Sequence, residues 1–231
     1  MFGRKKAAPQ PVVEETMDAV EEAAVEAPEQ PGFAPELTGG PFSADEVDSD
    51  VLEGDQRLDL GSVNVPIPPG GQLQVEMAPD GSPQAVHLML PSGRVTVAAY
   101  AAPKSPGTWE SVIGELSNSM EAQSAALSLE AGPWGNELVA LTQQAELRFI
   151  GVDGYRWMIR LVAAGPAGSA AADSELTAAS RAILASTVVR RGTDPHPPKS
   201  PLPITLPPPM AEQLAQAHQM RIEQQSEQQE A

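Results

Sequence analysis

The side chains that most often perform catalysis are scarce in this chain of 231 residues. It has three histidines, and His87 is the one within a segment that alternates like a β-strand, because His196 lies among prolines and His218 lies in a polar tail. A lone strand histidine is usually solvent-facing or hydrogen-bonded rather than a general base. The spacing of the histidines offers no ligand set, so no catalytic, cofactor or metal site is predicted.

Other kinds of chemistry find equally little support. The sequence has no cysteine, which removes thiol nucleophiles, disulfide frameworks and cysteine-based metal sites. No nucleophile elbow or phosphate-binding glycine loop occurs. Paired carboxylates for acid–base work could be drawn from Glu137, Glu146 and Asp153, but sequence does not show that they meet. Asp153 followed by Gly154 is more typical of a type I′ hairpin.

Four residues are candidates for contact with a partner. Trp134 stands in the loop Gly132-Pro-Trp-Gly, where it serves either as an exposed anchor or as ordinary core packing. Arg156 and Arg160 are evenly spaced and are expected to share a strand face. A solvated face is the ordinary interpretation, and a basic groove formed with Arg148 is the functional one. Such a groove would hold the protein's own acidic tail or an anionic partner.

Charge is unevenly distributed along the chain. The formal net charge is −17, and residues 1–57 hold 14 of the 31 acidic residues but 4 of the 14 basic ones. The field of this acidic segment disfavours binding to nucleic acid. The basic start is followed by acids rather than by an apolar stretch, and no run approaches about 18 apolar residues. We therefore expect a cytoplasmic protein with no stable membrane association.

Composition divides the chain into five segments. Residues 1–40 are rich in proline and acids, which predicts a disordered tail, and residues 41–56 form an acidic lead-in. The core domain is predicted over residues 57–192. Residues 193–209 contain eight prolines, which favours an extended strap on the core or, equally, a solvated linker. Residues 210–231 are rich in Gln and Glu and are predicted to be helical.

The predicted core has the order strands, helix, strands, helix and strand, which indicates an α+β fold. Alternation of apolar and polar residues predicts one strand over Arg57–Ile67 and three more between residues 73 and 101. Apolar residues three and four apart predict a helix from Trp109 to Met120, N-capped by Thr108, and another near 174–185. We expect an antiparallel sheet of about seven to nine strands, mostly hairpin-connected, covered by two α-helices.

Several motifs together resemble a known family. They are Met1-Phe-Gly-Arg-Lys-Lys, Arg57-Leu-Asp-Leu-Gly-Ser, Ala101-Ala-Pro-Lys-Ser-Pro-Gly-Thr-Trp, Gly132-Pro-Trp-Gly, Gly151-Val-Asp-Gly-Tyr-Arg-Trp and a closing Pro-Leu-Pro-Ile-Thr-Leu-Pro. Over residues 40–209 the chain resembles the actinobacterial family known as domain of unknown function 3710. The resemblance implies a cytoplasmic actinobacterial protein and carries no activity or ligand. The element order is also similar to the Mog1/PsbP-like fold, whose members bind partners or small ligands.

Three functions follow from these observations. The first is a non-enzymatic interaction module that docks on another protein, since chemical motifs are scarce and binding-type segments flank the core. The alternative is a carrier or sensor of a small ligand, which would need an apolar pocket with Arg148 or Arg160 at its mouth. The third is an enzyme whose site is built from scattered carboxylates and arginines.

Overall fold

The computed structural model describes residues 39–53, 56–77, 83–122, 126–212 and 216. Nearly all of the predicted N-terminal tail and most of the predicted C-terminal helix lie outside these ranges. The strands are β1 (Phe42–Ser43), β2 (Arg57–Asp59), β3 (Val63–Pro66), β4 (Gln72–Met77), β5 (Pro83–Leu90), β6 (Gly93–Ala101), β7 (Ala126–Gly132), β8 (Gly135–Leu141), β9 (Glu146–Asp153), β10 (Trp157–Gly165) and β11 (Val188–Val189). The α-helices are α1 (Ser49–Leu52), α2 (Thr108–Ala122) and α3 (Glu175–Ala185), and a 3-10 helix spans Ala44–Glu46.

A seven-stranded antiparallel sheet forms the centre of the fold, in the order β4-β5-β6-β10-β9-β8-β7. Two meanders build it, β4 to β6 and β7 to β10, and α2 connects them. The meanders join where β10 pairs with β6 along its length. Hairpin connections therefore dominate, and the predicted α+β class with a mostly hairpin-connected antiparallel sheet is confirmed.

The two long helices pack on opposite faces of this sheet. Ile159 of β10 lies in an apolar cluster with Leu176 of α3. The adjacent Met158 lies in a second cluster with Trp109 of α2. Because successive residues of a strand point to opposite faces, the central strands supply side chains to both clusters.

A second sheet, of four strands in the order β1-β11-β3-β2, was not predicted. The single strand predicted over Arg57–Ile67 is wrong, because the chain turns at Gly61 and pairs Asp59 with Asn64. Gly61 has a φ of +78°, and its N–H donates to the Asp59 carboxylate at 2.8 Å. The apolar and polar residues still alternate through this turn, so the sequence pattern alone does not reveal that the strand is broken there. Phe42 of the lead-in segment pairs in parallel with Val188 at the other side of the sheet.

Residues 199–206 of the proline-rich segment lie along the domain, and we call them the strap. Leu202 is buried, and its N–H donates to the Ala99 carbonyl at 2.8 Å. The N–H of Thr205 donates to the Leu60 carbonyl at 2.9 Å. Ile204 packs against the apolar cluster that faces α3. The strap therefore joins β6 to the turn between β2 and β3, with antiparallel bridges from Pro201 to Tyr100 and from Ile204 to Gly61.

Asp153, the last residue of β9, holds the start of α2. Its carboxylate accepts the backbone N–H groups of Gly107 at 2.7 Å and Trp109 at 3.0 Å. Thr108, the predicted N-cap, is instead the first residue of the helix. A distant carboxylate thus satisfies N–H groups that lack partners within the helix. The hairpin beyond Asp153 is not the predicted two-residue turn. Three residues separate β9 from β10, and the positive φ, of +64°, falls at the third of them, Arg156.

Asp153→Ala should lower the free energy of unfolding by about 1–2 kcal/mol, because the start of α2 loses its acceptor. Urea denaturation followed by circular dichroism measures the change. Asp153→Asn keeps one acceptor oxygen without the charge, so its stability should fall between those of the wild type and the alanine variant. An alanine variant as stable as the wild type would contradict the capping role.

Two glycines should respond to alanine in opposite directions. A Cβ at the buried Gly151 would lie 2.2 Å from the ring of Trp109, whereas a Cβ at Gly114, exposed in α2, meets nothing within 4 Å. Gly114→Ala should stabilise the protein by about 0.5–1 kcal/mol, since glycine is costly within a helix. Gly151→Ala should destabilise it by about 1–3 kcal/mol through overpacking. Thermal denaturation compares them, and an unchanged melting temperature for Gly151→Ala would refute the tight contact.

Candidate functional site

Trp134 lies in the turn between β7 and β8 and is half-buried. Its indole Nε1–H donates to the carbonyl of Gly40 at 2.8 Å, and its ring packs against the cluster that faces α3. The ring therefore fastens the first described residues to the main sheet. Its predicted role as an anchor for a partner stays a prediction.

Arg148 is fully buried on the face of β9 that carries α3. Its Nη1 donates to Glu137 and its Nη2 to Glu130, both at 2.5 Å, while Nε donates to the Ala170 carbonyl at 2.7 Å. Arg181 of α3 donates to the same Glu137 at 2.8 and 3.1 Å. We call Glu130, Glu137, Arg148 and Arg181 the buried ion network. Its two positive and two negative charges balance, which is what permits the burial of Arg148 and Glu137.

Glu137→Ala should lower the free energy of unfolding by roughly 3–5 kcal/mol, because Arg148 then keeps a buried charge that is only partly compensated. Chemical denaturation measures the loss. Glu130→Ala is the matched control: the side chain of Glu130 is 36% exposed. Its loss should be about 1 kcal/mol. Equal losses in the two variants would show that burial does not set the strength of the network.

The tip of the hairpin between β9 and β10 carries an exposed aromatic ring, with cationic residues in and beside the turn. Tyr155 is 62% exposed, and the ammonium of Lys104 lies 6.0 Å from its ring centroid. Arg191 Nε donates to the carbonyl of Arg156 at 3.0 Å. We call Lys104, Tyr155, Arg156 and Arg191 the hairpin tip. It carries three positive charges on a chain whose formal net charge is −17.

The predicted basic groove of three arginines is not formed. Arg148 pairs with Ala163 of β10, and residues 160 and 163 of one strand point to opposite faces. Arg160 therefore lies on the face that carries α2, away from the buried ion network. Arg156 does not share a strand face with Arg160, because β10 begins at Trp157 and Arg156 belongs to the turn.

Arg160 lines a groove of about 200 Å³ between α2 and the sheet. Its Nη2 donates to the Tyr100 hydroxyl at 2.5 Å, and the guanidinium carbon lies 5.0 Å from the centroid of that ring. Lys199 of the strap also lines the groove and donates to Ser111 at 2.8 Å and to Glu115. We call this the Arg160 groove, and its full lining is Tyr100, Val112, Glu115, Leu116, Met158, Arg160 and Lys199. An apolar wall thus stands beside a guanidinium.

A second groove, of about 240 Å³, shares Lys199 with the first. Its lining comes from the loop that precedes α2, the first turn of α2 and Pro198. The hairpin tip adjoins this region, since the N–H of Ala102 donates to the Arg156 carbonyl at 3.0 Å. The same end of the sheet therefore presents the hairpin tip and both grooves.

The residues considered for catalysis hold the fold together in the described part of the chain. His87 is buried, with Nδ1 2.7 Å from the Thr96 hydroxyl and Nε2 3.1 Å from the Glu76 carboxylate, so of the two expected alternatives it is hydrogen-bonded rather than solvent-facing. The Glu146 carboxylate accepts two N–H groups of the loop before α3, at 2.6 and 3.1 Å. Glu137 belongs to the buried ion network and Asp153 caps α2. The three carboxylates therefore bind different groups and do not form a pair.

Sequence reasoning missed Tyr100, Lys104, Tyr155 and Lys199 as members of these surfaces. A sequence signal was available for one of them, since Tyr155 stands beside a candidate arginine. Tyr155 precedes Arg156 in the chain, whereas Tyr100 meets Arg160 only through the pairing of β6 with β10. No local signal connects Lys199 to α2.

The fold and its surfaces define an α+β domain with a basic, partly aromatic end. The chain belongs to the family described as protein of unknown function DUF3710, whose model matches residues 40–213, and the predicted family is thereby confirmed. No curated protein matches the chain. In its described part, no helix is both long enough and apolar enough to cross a membrane.

A crystal structure of a protein from Bacteroides thetaiotaomicron VPI-5482 is similar to part of this chain. The two are 13% identical, and the similarity covers 62% of this chain with a TM-score of 0.38. It covers 52% of that protein, so the chain spans about half of its length. A TM-score this low carries no argument about fold or function.

Proposed function

We propose that this protein is a cytoplasmic, non-enzymatic protein-interaction module and that the hairpin tip contacts the partner. The observation that carries the proposal is the 62% exposure of Tyr155 in a turn that contains Arg156 and lies beside Lys104 and Arg191. Tyrosine and arginine are among the residue types that dominate the binding energy of protein interfaces. An exposed aromatic ring flanked by arginine therefore favours a docking surface.

The hairpin tip is held in place by backbone hydrogen bonds. The N–H of Gly154 donates to the Trp157 carbonyl at 2.9 Å and closes the turn. The carbonyl of Arg156 accepts both the N–H of Ala102 and Nε of Arg191, each at 3.0 Å. A surface that is ordered before binding loses less conformational entropy on association. This geometry supports the tip as a preformed contact.

The charge of the hairpin tip indicates an acidic segment on the partner protein. Lys104, Arg156 and Arg191 bring three positive charges there, and the neighbouring Asp153 is engaged with the start of α2. Complementary charge would speed association and orient the partner. Because the chain as a whole is acidic, attraction of an acidic segment would be confined to this end.

A carrier or sensor of a small ligand is the second candidate, and the Arg160 groove is the observation that favours it. The groove combines an apolar wall with a cation, as ligand sites do. Its volume of about 200 Å³ is smaller than the roughly 300–1,000 Å³ of usual ligand pockets. The interaction module is therefore the stronger of the two proposals.

Tyr155→Ala in the full-length protein should reduce recovery of the partner by about tenfold or more, because a hot-spot ring is lost. Affinity capture from the native host, quantified by mass spectrometry, measures the change. Leu141→Ala is the control, since Leu141 is also exposed, at 45%, but pairs with Glu146 at the opposite end of β9. Its recovery should equal that of the wild type.

Two results would refute the proposal for the hairpin tip. One is equal recovery of the partner by Tyr155→Ala and the wild type, and the other is enrichment of no protein by the wild type. The second result would also move the small-ligand function ahead of the interaction module. Thermal denaturation of both variants checks that any loss of binding does not come from unfolding.

A further inference from the structure

We propose that the Arg160 groove binds the free C-terminal carboxylate of a partner polypeptide whose last side chain is apolar. The inference rests on the proposed function, because it names which part of a partner protein the domain holds. It concerns a different surface from the hairpin tip, so the two can be tested separately.

Arg160 is the group that would select a carboxylate. Arg160 is half-buried, and its Nη2 donates to the hydroxyl of Tyr100 at 2.5 Å. In the described ranges, Arg148, Arg181 and Arg190 have carboxylates within ion-pair distance and Arg160 does not. A guanidinium carries five N–H donors in a planar fork that matches the two oxygens of a carboxylate. The Tyr100 hydroxyl orients this fork and leaves donors for a ligand.

The size of the groove favours a chain end over a whole metabolite. At about 200 Å³ and open to solvent on one side, it is too small to enclose a typical small ligand. It has room for one apolar side chain and its carboxylate. Val112, Leu116 and Met158 supply the apolar wall against which that side chain would pack.

The second groove supplies a path for the preceding residues. It begins at Lys199 and is lined by Pro103, Pro106 and Pro198, so an extended chain has an apolar surface to follow. The ammonium of Lys199 between the two grooves already donates to Ser111 and to the Glu115 carboxylate. Its charge is thus balanced, and Arg160 is the cation left for the terminal carboxylate.

The test uses the full-length protein and two pools of fluorescent hexapeptides, mixed at the first five positions. One pool ends in leucine with a free carboxylate, and the other ends in leucine amide. Fluorescence anisotropy should show that the pool with the free carboxylate binds about tenfold or more tightly than the amide pool. A factor of this size is usual when one of two ligands lacks a charge-assisted hydrogen bond. Arg160→Ala should abolish this preference, and Arg160→Lys, which keeps the charge without the fork, should retain part of it.

Arg94→Ala is the matched control. Arg94 is an exposed arginine on the same face of the sheet, four residues along β6 from Ala98, the residue that pairs with Arg160. That spacing places it roughly 13 Å away, so peptide affinity should not change. Tyr100→Phe keeps the ring but removes the hydroxyl that accepts from Arg160. We expect it to weaken peptide binding less than Arg160→Ala does. Thermal denaturation checks the folding of each variant.

Equal affinity for the acid and amide pools, or unchanged binding by Arg160→Ala, would overturn the inference. A third arm adds 4-methylpentanoate, a free acid with an apolar chain like that of leucine. Displacement of the peptide by this acid at equal concentration would assign the groove to small carboxylic acids and also overturn it. A partner lost by Tyr155→Ala, with no peptide bound, would leave the proposed function standing while this inference fails.

Discussion

Removing the guanidinium of Arg148 from water imposes the strictest requirement on this fold. A buried charge is tolerable only when an opposite charge and hydrogen bonds surround it, and Glu137, Glu130 and the Ala170 carbonyl provide them. Since these groups belong to β8, β7 and the loop before α3, the position of each depends on the others. The network also limits the residue that can end β7, because a Cβ at Gly132 would lie 2.1 Å from the Glu137 carboxylate.

The two faces of the main sheet differ in what they make available for binding. On one face, α3, the second sheet and the strap contribute to a single apolar cluster. On the other, α2 packs against β7, β8 and β9, while Tyr100 and Arg160 lie on the neighbouring β6 and β10. The Arg160 groove forms at this boundary between helix and sheet. The covered face thus stabilises the domain, and the boundary on the other face offers room for a ligand.

Much of the fold could be predicted because its signals are local. The apolar stripe of Trp109, Ile113 and Met120 predicts α2, and alternation predicts the strands of the first meander, β4 to β6. The errors occur where a distant group or one side chain changes the outcome. Asp153 rather than Thr108 caps α2, and a turn held by Asp59 converts one predicted strand into two. Of the four candidate site residues, Arg156 and Arg160 lie on the proposed binding surfaces. Trp134 is hydrogen-bonded to Gly40, and Arg148 is buried in the ion network.

The sequence by itself determined the uneven charge, the absence of cysteine, the α+β class and the family resemblance, since composition and short-range periodicity are sufficient for each. Only the tertiary structure decided that the strap packs on the core, that Arg148 is buried and that Arg160 faces a groove. Alternation shows which residues of one strand share a face, but not what covers that face. Strand pairing and long-range packing bring Tyr100, Arg160 and Lys199 together, and no local pattern records those contacts.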